Sequence, residues 1–269
     1  MTLSRSRLET ARSLLFVPGD RPDRFAKAAS AGADAVIVDL EDAVAAQDKD
    51  LARENVAAWL GAGNSAVVRI NAPGTPWSDA DLEVAARFSV PVMVPKSEDP
   101  AVLAQLSRRT ARKCPLIPLV ETAAGVERAL AVCATPGAVR LAFGNADLSS
   151  QLGVSPDDHM ALAYARSKLV SAAAATGLCP PVDGVTTSVK DSDALTADIS
   201  HARRLGFTGK LCIHPAQIAA VTAQFAPTEG ELRWARTVVE AGESVTVVDG
   251  QMVDKPVLER ARRILAARG

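Results

Sequence analysis

Aromatic residues are scarce in this 269-residue chain, where Phe, Trp and Tyr together make up 4%. Proteins that hold single-stranded nucleic acid stack its bases on aromatic rings along a cationic groove, and that resource is missing. Charge of one sign is lacking too, since 30 Lys and Arg stand against 31 Asp and Glu for a formal net charge of -1. Such a balance implies no broad face for a polyanion, so no nucleic-acid partner is expected. The four cysteines, Cys114, Cys133, Cys179 and Cys212, form no CxxC and pair with no histidine at zinc-site spacing. They are expected to be reduced, mostly buried, small apolar residues of a cytoplasmic protein. No apolar run approaches the roughly 20 residues that span a bilayer, so no membrane partner is expected either. Neither a G-x-G-x-x-G nor a Walker loop is present to argue for a nucleotide fold.

What the chain has is a large apolar fraction, 48%, arranged in short β-rich runs that alternate with longer stretches of helical period. Strands are expected at 14–18, 35–39, 66–70, 91–95, 115–120, 138–143, 180–184 and 210–213. Helices are expected near 22–31, 48–61, 78–87, 99–109, 125–133, 157–176, 190–205 and 215–224. Asp20 and Ser78 precede two of them as cap-like residues. Eight strands, each followed by a helix, fit a closed (β/α)₈ TIM barrel better than an open sheet, because nothing is left over to cover a sheet edge. The expected organisation is a short solvated arm over 1–12, a barrel over 13–224 and a C-terminal extension over 225–269. That extension reads as a helix, a hairpin turning at Asp249-Gly250 and a final helix from 255.

Active sites of such barrels lie where strands end and loops begin. Here the second strand ends in "DLED", the third in Arg69, the fourth in Pro95-Lys96 and the fifth in Glu121. The sixth ends in "GNAD", the seventh in Asp183 and the eighth in His214. One rim thus collects Asp39, Glu41, Asp42, Glu121 and Asp147 around Arg69 and Lys96. A carboxylate at the end of the greasy run "LIPLV" either faces water or faces a cation, because a bare buried charge costs several kcal/mol. Carboxylates with few histidines nearby favour a hard cation, Mg²⁺ or Mn²⁺, with Glu121 and Asp147 as the ligand pair. Rim ion pairs are the alternative, with Arg69 joined to Glu41 or Asp39. In "DRPDRFAKA", Arg21, Arg24 and Lys27 surround a helix start that would suit a phosphate-bearing substrate, and a solvated helix start explains the spacing equally. His159 and His201 fall in expected helices without a role, and His214 is expected to fix the last loop by hydrogen bonds.

Taken in order, "SLLFVPGDRPDRFAKA", "ADAVIVDLEDAV", "VVRIN", "VPK", "PLVETAAGV", "AFGNADL", "PVDG", "KLCIHPAQI" and "GQMVDKP" resemble the citrate lyase beta subunit and malyl-CoA lyase group of the HpcH/HpaI aldolase superfamily. The resemblance implies a barrel that breaks or forms a carbon–carbon bond between an acyl-CoA unit and an α-keto acid such as oxaloacetate, pyruvate or glyoxylate. It implies Mg²⁺ on Glu121 and Asp147, an oxyanion-stabilising role for Arg69, and Glu41 and Asp42 as orienters of Arg69 or of metal-bound water. Phe16, Arg21 and Lys27 match positions that contact the CoA nucleotide, and Lys96 joins the substrate-binding set. Asp254 matches an aspartate that reaches the active site of a neighbouring subunit in a homotrimer or hexamer. The same scaffold serves malyl-CoA-type thioesterases and beta subunits that act on a carrier-protein thioester, so those two outcomes stay open.

Overall fold

The computed structural model describes residues 3–241, 246–248 and 251–267. The chain divides into two compact units, residues 1–222 and residues 223–269.

In the first unit eight parallel strands close into a barrel in sequence order. They are β1 (Ser13–Pro18), β2 (Ala35–Asp39), β3 (Val67–Arg69), β4 (Val92–Val94), β5 (Leu116–Val120), β6 (Ala142–Phe143), β7 (Val182–Asp183) and β8 (Gly209–Cys212). Closure is made by β8 pairing with β1, Ser13 opposite Lys210 and Leu15 opposite Cys212. All five residues of β5 are buried, as expected of a strand lying between the barrel interior and the helix layer. Inward side chains of Leu14, Ile37, Val67, Met93, Ile117, Leu119 and Leu211 form one apolar cluster. The sequence pattern matches this architecture, with the sixth and seventh strands much shorter than expected.

The helices follow from apolar stripes and caps. In α3 (Lys49–Gly61) the buried residues Ala52, Val56 and Leu60 recur every fourth position. Asp99 caps α5 (Pro100–Arg109) by accepting the Ala101 N–H, with Pro100 at the first helical position. Asp191 caps α10 (Ser192–Leu205), which ends on Gly206 at φ 103°. Other expectations need correcting. Asp20 caps nothing: the 3-10 turn Pro22–Arg24 follows Arg21 without a side-chain cap, and Asp20 Oδ1 is buried without a hydrogen-bond partner. Ser78 is the first residue of α4 (Ser78–Phe88), and its hydroxyl donates to the Thr75 carbonyl. The helix expected over 125–133 is split into α6 (Ala123–Glu127) and α7 (Ala129–Cys133). An unforeseen helix, α8 (Asn145–Leu152), follows β6, and α9 (Ala163–Thr176) starts later than expected, leaving His159 in the preceding loop.

The first residues are not a solvated arm. Ser4 caps α1 (Arg5–Thr10), and Leu3, Leu8 and Ala11 are buried in the same cluster as the inward strand residues. The helix closes the end of the barrel where strands begin, and Arg140, 1% exposed, holds it there. The Arg140 guanidinium donates to the carbonyls of Leu8, Ala11 and Pro180 and to the Thr208 hydroxyl. Burial lowers its pKa to about 10. Two of its acceptors are at the C-terminal end of α1, where a helix offers unpaired carbonyls and favours positive charge.

In the second unit, α12 (Glu229–Glu240) opens with a reciprocal Thr228–Glu231 capping box. An antiparallel pair follows, β9 (Thr246–Val248) with β10 (Gln251–Val253), then α13 (Lys255–Ala266). Ala235, Val238, Val253, Leu258 and Ala261 form the core of this unit. The Asp249-Gly250 turn lies outside the described residues. Among the described residues no helix is long and apolar enough to cross a membrane.

Arg140→Met strips four acceptors of their donor, two of them, the Leu8 and Ala11 carbonyls, buried and each costing about 1–3 kcal/mol if left unpaired. The expected loss in urea denaturation is roughly 2–4 kcal/mol after relaxation. Deletion of residues 1–11 together with Arg140→Met should cost little more than the deletion alone. Fully additive losses would show that Arg140 does not act through α1.

Candidate active site

At the opposite end, where strands finish, polar side chains surround a cavity of about 360 Å³. The register of the sheet brings them together. Asp39 and Arg69 are paired residues at the ends of β2 and β3. Their side chains meet in a bidentate ion pair, Nε to Oδ1 at 2.7 Å and Nη2 to Oδ2 at 2.6 Å. The remaining guanidinium nitrogen, Nη1, is 3.0 Å from Glu41 Oε2 and 3.5 Å from Asp42 Oδ2. Phe16 on β1 lies under the guanidinium, its ring centroid 4.9 Å from Cζ. Burial opposes the charge on Arg69, but hydrogen bonds to Asp39 and the nearby carboxylates outweigh it and raise its pKa further. Of the two rim pairings weighed for Arg69, both are present.

Glu41 is held differently. Its Oε2 is within ion-pair distance of Arg69 yet has no aligned hydrogen bond among the described residues. Burial outweighs the attraction of Arg69, and with the charges of Glu121 and Asp42 it pushes the Glu41 carboxyl up to about 8. The loop carrying Glu41 is pinned from below by Lys49, whose ammonium donates at 2.7 Å to the carbonyls of both Leu40 and Glu41. Lys49 escaped the sequence reading because it lies in the first turn of α3, where a lysine normally faces solvent.

Glu121 follows β5 and is 4% exposed. Its Oε1 accepts the Lys96 backbone N–H at 2.9 Å and is 3.1 Å from the Lys96 ammonium. Burial nonetheless raises its pKa against the pull of Lys96 and Arg69. The Lys96 ammonium also contacts Asp147, in the first turn of α8. Two carboxylates from neighbouring strand ends therefore converge on one cation. Gly144 makes room for this: a Cβ there would stand 2.4 Å from Glu121 Cβ and 2.6 Å from its Oε2. Asn145 ties the same turn to β7, accepting from the Val185 N–H and donating to the Val185 carbonyl. The "GNAD" segment held both signals, one for close approach and one for a turn-fixing amide.

The donor set fits a hard divalent cation. Glu121 and Asp147 offer two anionic arms that already enclose a positive charge, as small hard cations prefer. Among the described residues no group of three or more His, Cys, Asp or Glu is placed to hold an ion. An ion at this pair would take its other ligands from water and substrate.

Other expected residues lie elsewhere. Arg21 and Lys27 are exposed, Arg21 pairing with Asp23 at 3.1 Å, and neither lines the cavity. Asp254 caps α13 within the second unit by accepting the Val257 N–H. Asp183, at the end of β7, turns into the helix layer, fully buried between Arg166 at 2.9 Å and Lys210 at 3.1 Å. His214 fixes the last loop, its Nδ1 accepting from Ala216 N–H. His159 contacts Asp198 at 2.7 Å and stacks on His201 at 4.1 Å between centroids. The four cysteines are unpaired, three of them buried.

Between its ordinary value of 4.5 and about 8, Glu41 keeps a proton in the folded protein that the unfolded chain has released. Stability attributable to it therefore falls as pH rises through that window. Glu41→Gln, neutral throughout, should flatten that slope in urea denaturation between about pH 5 and 8. An unchanged slope would remove Glu41 as its source.

Proteins of known sequence and structure resemble this chain over most of its length. A citrate lyase subunit beta-like protein of Deinococcus radiodurans is 37% identical over 277 residues, covering 95% of this chain and 96% of its own. A (3S)-malyl-CoA thioesterase of Cereibacter sphaeroides is 34% identical, covering 95% of this chain and 93% of its own. The crystal structure of protein CitE from Mycobacterium tuberculosis, in complex with magnesium, acetoacetate and coenzyme A, superposes with a TM-score of 0.83 at 37% identity, over 97% of this chain and 99% of that one. A family model matches residues 12–215, a span that contains all eight barrel strands, and the chain belongs to the HpcH/HpaI aldolase/citrate lyase family.

Proposed function

We propose that this protein is a Mg²⁺-dependent carbon–carbon lyase. Its substrate would be a 3-hydroxyacyl-CoA such as citryl-, malyl- or citramalyl-CoA, cleaved to acetyl-CoA and oxaloacetate, glyoxylate or pyruvate, or formed from them. The observation that carries this reading is the convergence of Glu121 and Asp147 on one cation in the same cavity as a buried, permanently charged Arg69. Magnesium-bound CitE with acetoacetate and coenzyme A supports the ligand classes. Mg²⁺ or Mn²⁺ held by Glu121 and Asp147 would supply a Lewis acid for the keto-acid oxygens.

The chain's own residues do the rest. Cleavage breaks the bond between the hydroxyl-bearing carbon and the carbon next to the thioester: the hydroxyl proton passes to solvent, the hydroxyl carbon becomes the keto-acid carbonyl, and the bonding pair becomes the thioester enolate, so negative charge moves between oxygens. Arg69, locked by its fork to Asp39, presents fixed positive charge to those oxygens without rearranging during the step. Glu41 and Asp42 position Arg69 through its third nitrogen. The apolar wall of Leu119, Val185 and Leu211 keeps the cavity poorly solvated and strengthens these interactions. Asp254, from a neighbouring subunit of a homotrimer or hexamer, would protonate the enolate carbon in cleavage and deprotonate it in synthesis. Phe16 would meet the acyl-CoA inside the cavity, and the exposed cations Arg21 and Lys27 would meet its phosphates. Lys96 would engage a substrate carboxylate.

Thioester hydrolysis is a second reading, favoured by the 34% identity to a malyl-CoA thioesterase. A carrier-protein thioester is the substrate to test if free CoA esters are inert.

Incubation of the protein and Mg²⁺ with citryl-, malyl- and citramalyl-CoA, read by mass spectrometry, should yield acetyl-CoA and one keto acid. Free CoA with intact hydroxy acid would place the protein among the thioesterases. Glu121→Ala and Asp147→Ala should each lower kcat/KM by about 100-fold or more and abolish metal-dependent keto-acid binding. Tight Mg²⁺ binding retained in either variant would overturn the ligand assignment.

Asp254→Ala should keep metal and keto-acid binding while losing turnover. Subunit exchange with an Arg69→Ala protein should then restore part of the activity. Mixed oligomers that stay inactive would exclude a site shared between subunits.

A further inference from the structure

Among the described residues Lys96 is one of four non-glycine residues with positive φ, at 50°. A left-handed conformation is unfavourable for a lysine and persists where surrounding structure requires it. Here the requirement is visible. The turn after β4 points both the Lys96 N–H and the Lys96 ammonium at one carboxylate, Glu121 Oε1, at 2.9 and 3.1 Å. The ammonium reaches Asp147 as well, so a single side chain bridges the pair that would hold the metal. The Lys96 side chain is 34% exposed, so it is not packed immovably in place. It also lines a second cavity of about 270 Å³ together with Glu98 and Asp99.

We propose that Lys96 is an internal counter-cation that occupies the Glu121–Asp147 pair in the metal-free protein and must be displaced from that pair when the divalent ion binds, which frees its ammonium for a substrate carboxylate. This rests on Glu121 and Asp147 being the metal ligands. Physically, an ammonium and a divalent ion cannot share two carboxylates at contact distance, since their mutual repulsion cancels much of the attraction each feels. A site whose competent form requires the lysine to leave binds metal more weakly by the fraction of time it has left. In return, the metal-free protein never exposes two adjacent, partly buried carboxylates without a partner, a state that would weaken the barrel rim. Lys96 thereby sets metal affinity as a positioning residue, separate from any contact it makes with substrate.

The test is Mn²⁺ titration followed by electron paramagnetic resonance of the free ion, with thermal melting of metal-free and Mn²⁺-saturated protein. Lys96→Met, close in length and uncharged, should bind Mn²⁺ about tenfold more tightly than wild type or better. Its metal-free form should melt below wild type, with the gap closing at saturating Mn²⁺. Equal or weaker binding by a variant whose circular dichroism matches wild type would overturn the proposal. If Lys96→Met does not fold, Lys96→Gln is read in the same way. Glu121→Gln separates the two levels of the argument. Mn²⁺ bound by wild type, lost in Glu121→Gln and unchanged in affinity in Lys96→Met would leave the metal site standing and sink the counter-cation. Mn²⁺ bound by neither wild type nor the Lys96 variants would overturn both.

Discussion

Negative charge crowded into one end of a barrel has to be balanced on the spot, and this balance organises the molecule. Asp39, Glu41 and Glu121 are each less than a tenth exposed, and Asp42 and Asp147 stand beside them. Asp39, Glu41 and Glu121 have little water as a partner, so each must find a cation, a backbone donor or a proton. Asp39 takes Arg69 and two backbone N–H groups, from Glu41 and Ala43. Glu121 takes Lys96 twice. Glu41, without an aligned donor, holds a proton into the neutral range.

The two ends of the barrel solve the burial problem with opposite chemistry. Where strands begin, a buried guanidinium, Arg140, is surrounded by neutral carbonyls and a hydroxyl and fastens α1 to the chain at Pro180 and Thr208. Where strands end, Arg69 and Lys96 are paired with carboxylates. Between the sheet and the helices, Asp183, Arg166 and Lys210 form a third polar group with no outlet to either end. Stability is thus concentrated at one mouth and in the helix layer, while the other mouth keeps charges whose arrangement can change.

Family membership narrows the chemistry without choosing the product. Lyases and thioesterases of this scaffold share the need to polarise a thioester-bearing hydroxy acid, so the residues around the cation pair are compatible with both. What separates them is whether a carbon–carbon or a carbon–sulfur bond leaves from the activated substrate, which depends on where the proton donor and a water stand.

Periodicity and strand-end polarity were local signals strong enough to be read directly. Eight apolar runs separated by helical stripes mark a closed parallel barrel, and the residues that end those runs include every charged group of the cavity rim. Direction along a strand was less legible. Asp183 ends β7 as Glu121 follows β5, yet one turns into the helix layer and the other over the cavity, because a shift of one residue in a pleat changes the face. The burial of α1 was hidden for a related reason: three apolar residues among arginines and serines acquire meaning only when an open barrel end is there to receive them. Lys49 looks like an ordinary surface lysine in sequence and Lys96 like one more cation of the rim, and only the closed barrel brings backbone carbonyls to the first and the Glu121–Asp147 pair to the second. The sequence by itself determined the elements, their order and the chemical inventory of the rim, since these depend on side-chain type and spacing alone. Which groups face each other, which are dehydrated and which cation each carboxylate holds was decided by tertiary structure, because Coulomb energy and desolvation depend on distances that exist only after the strands close.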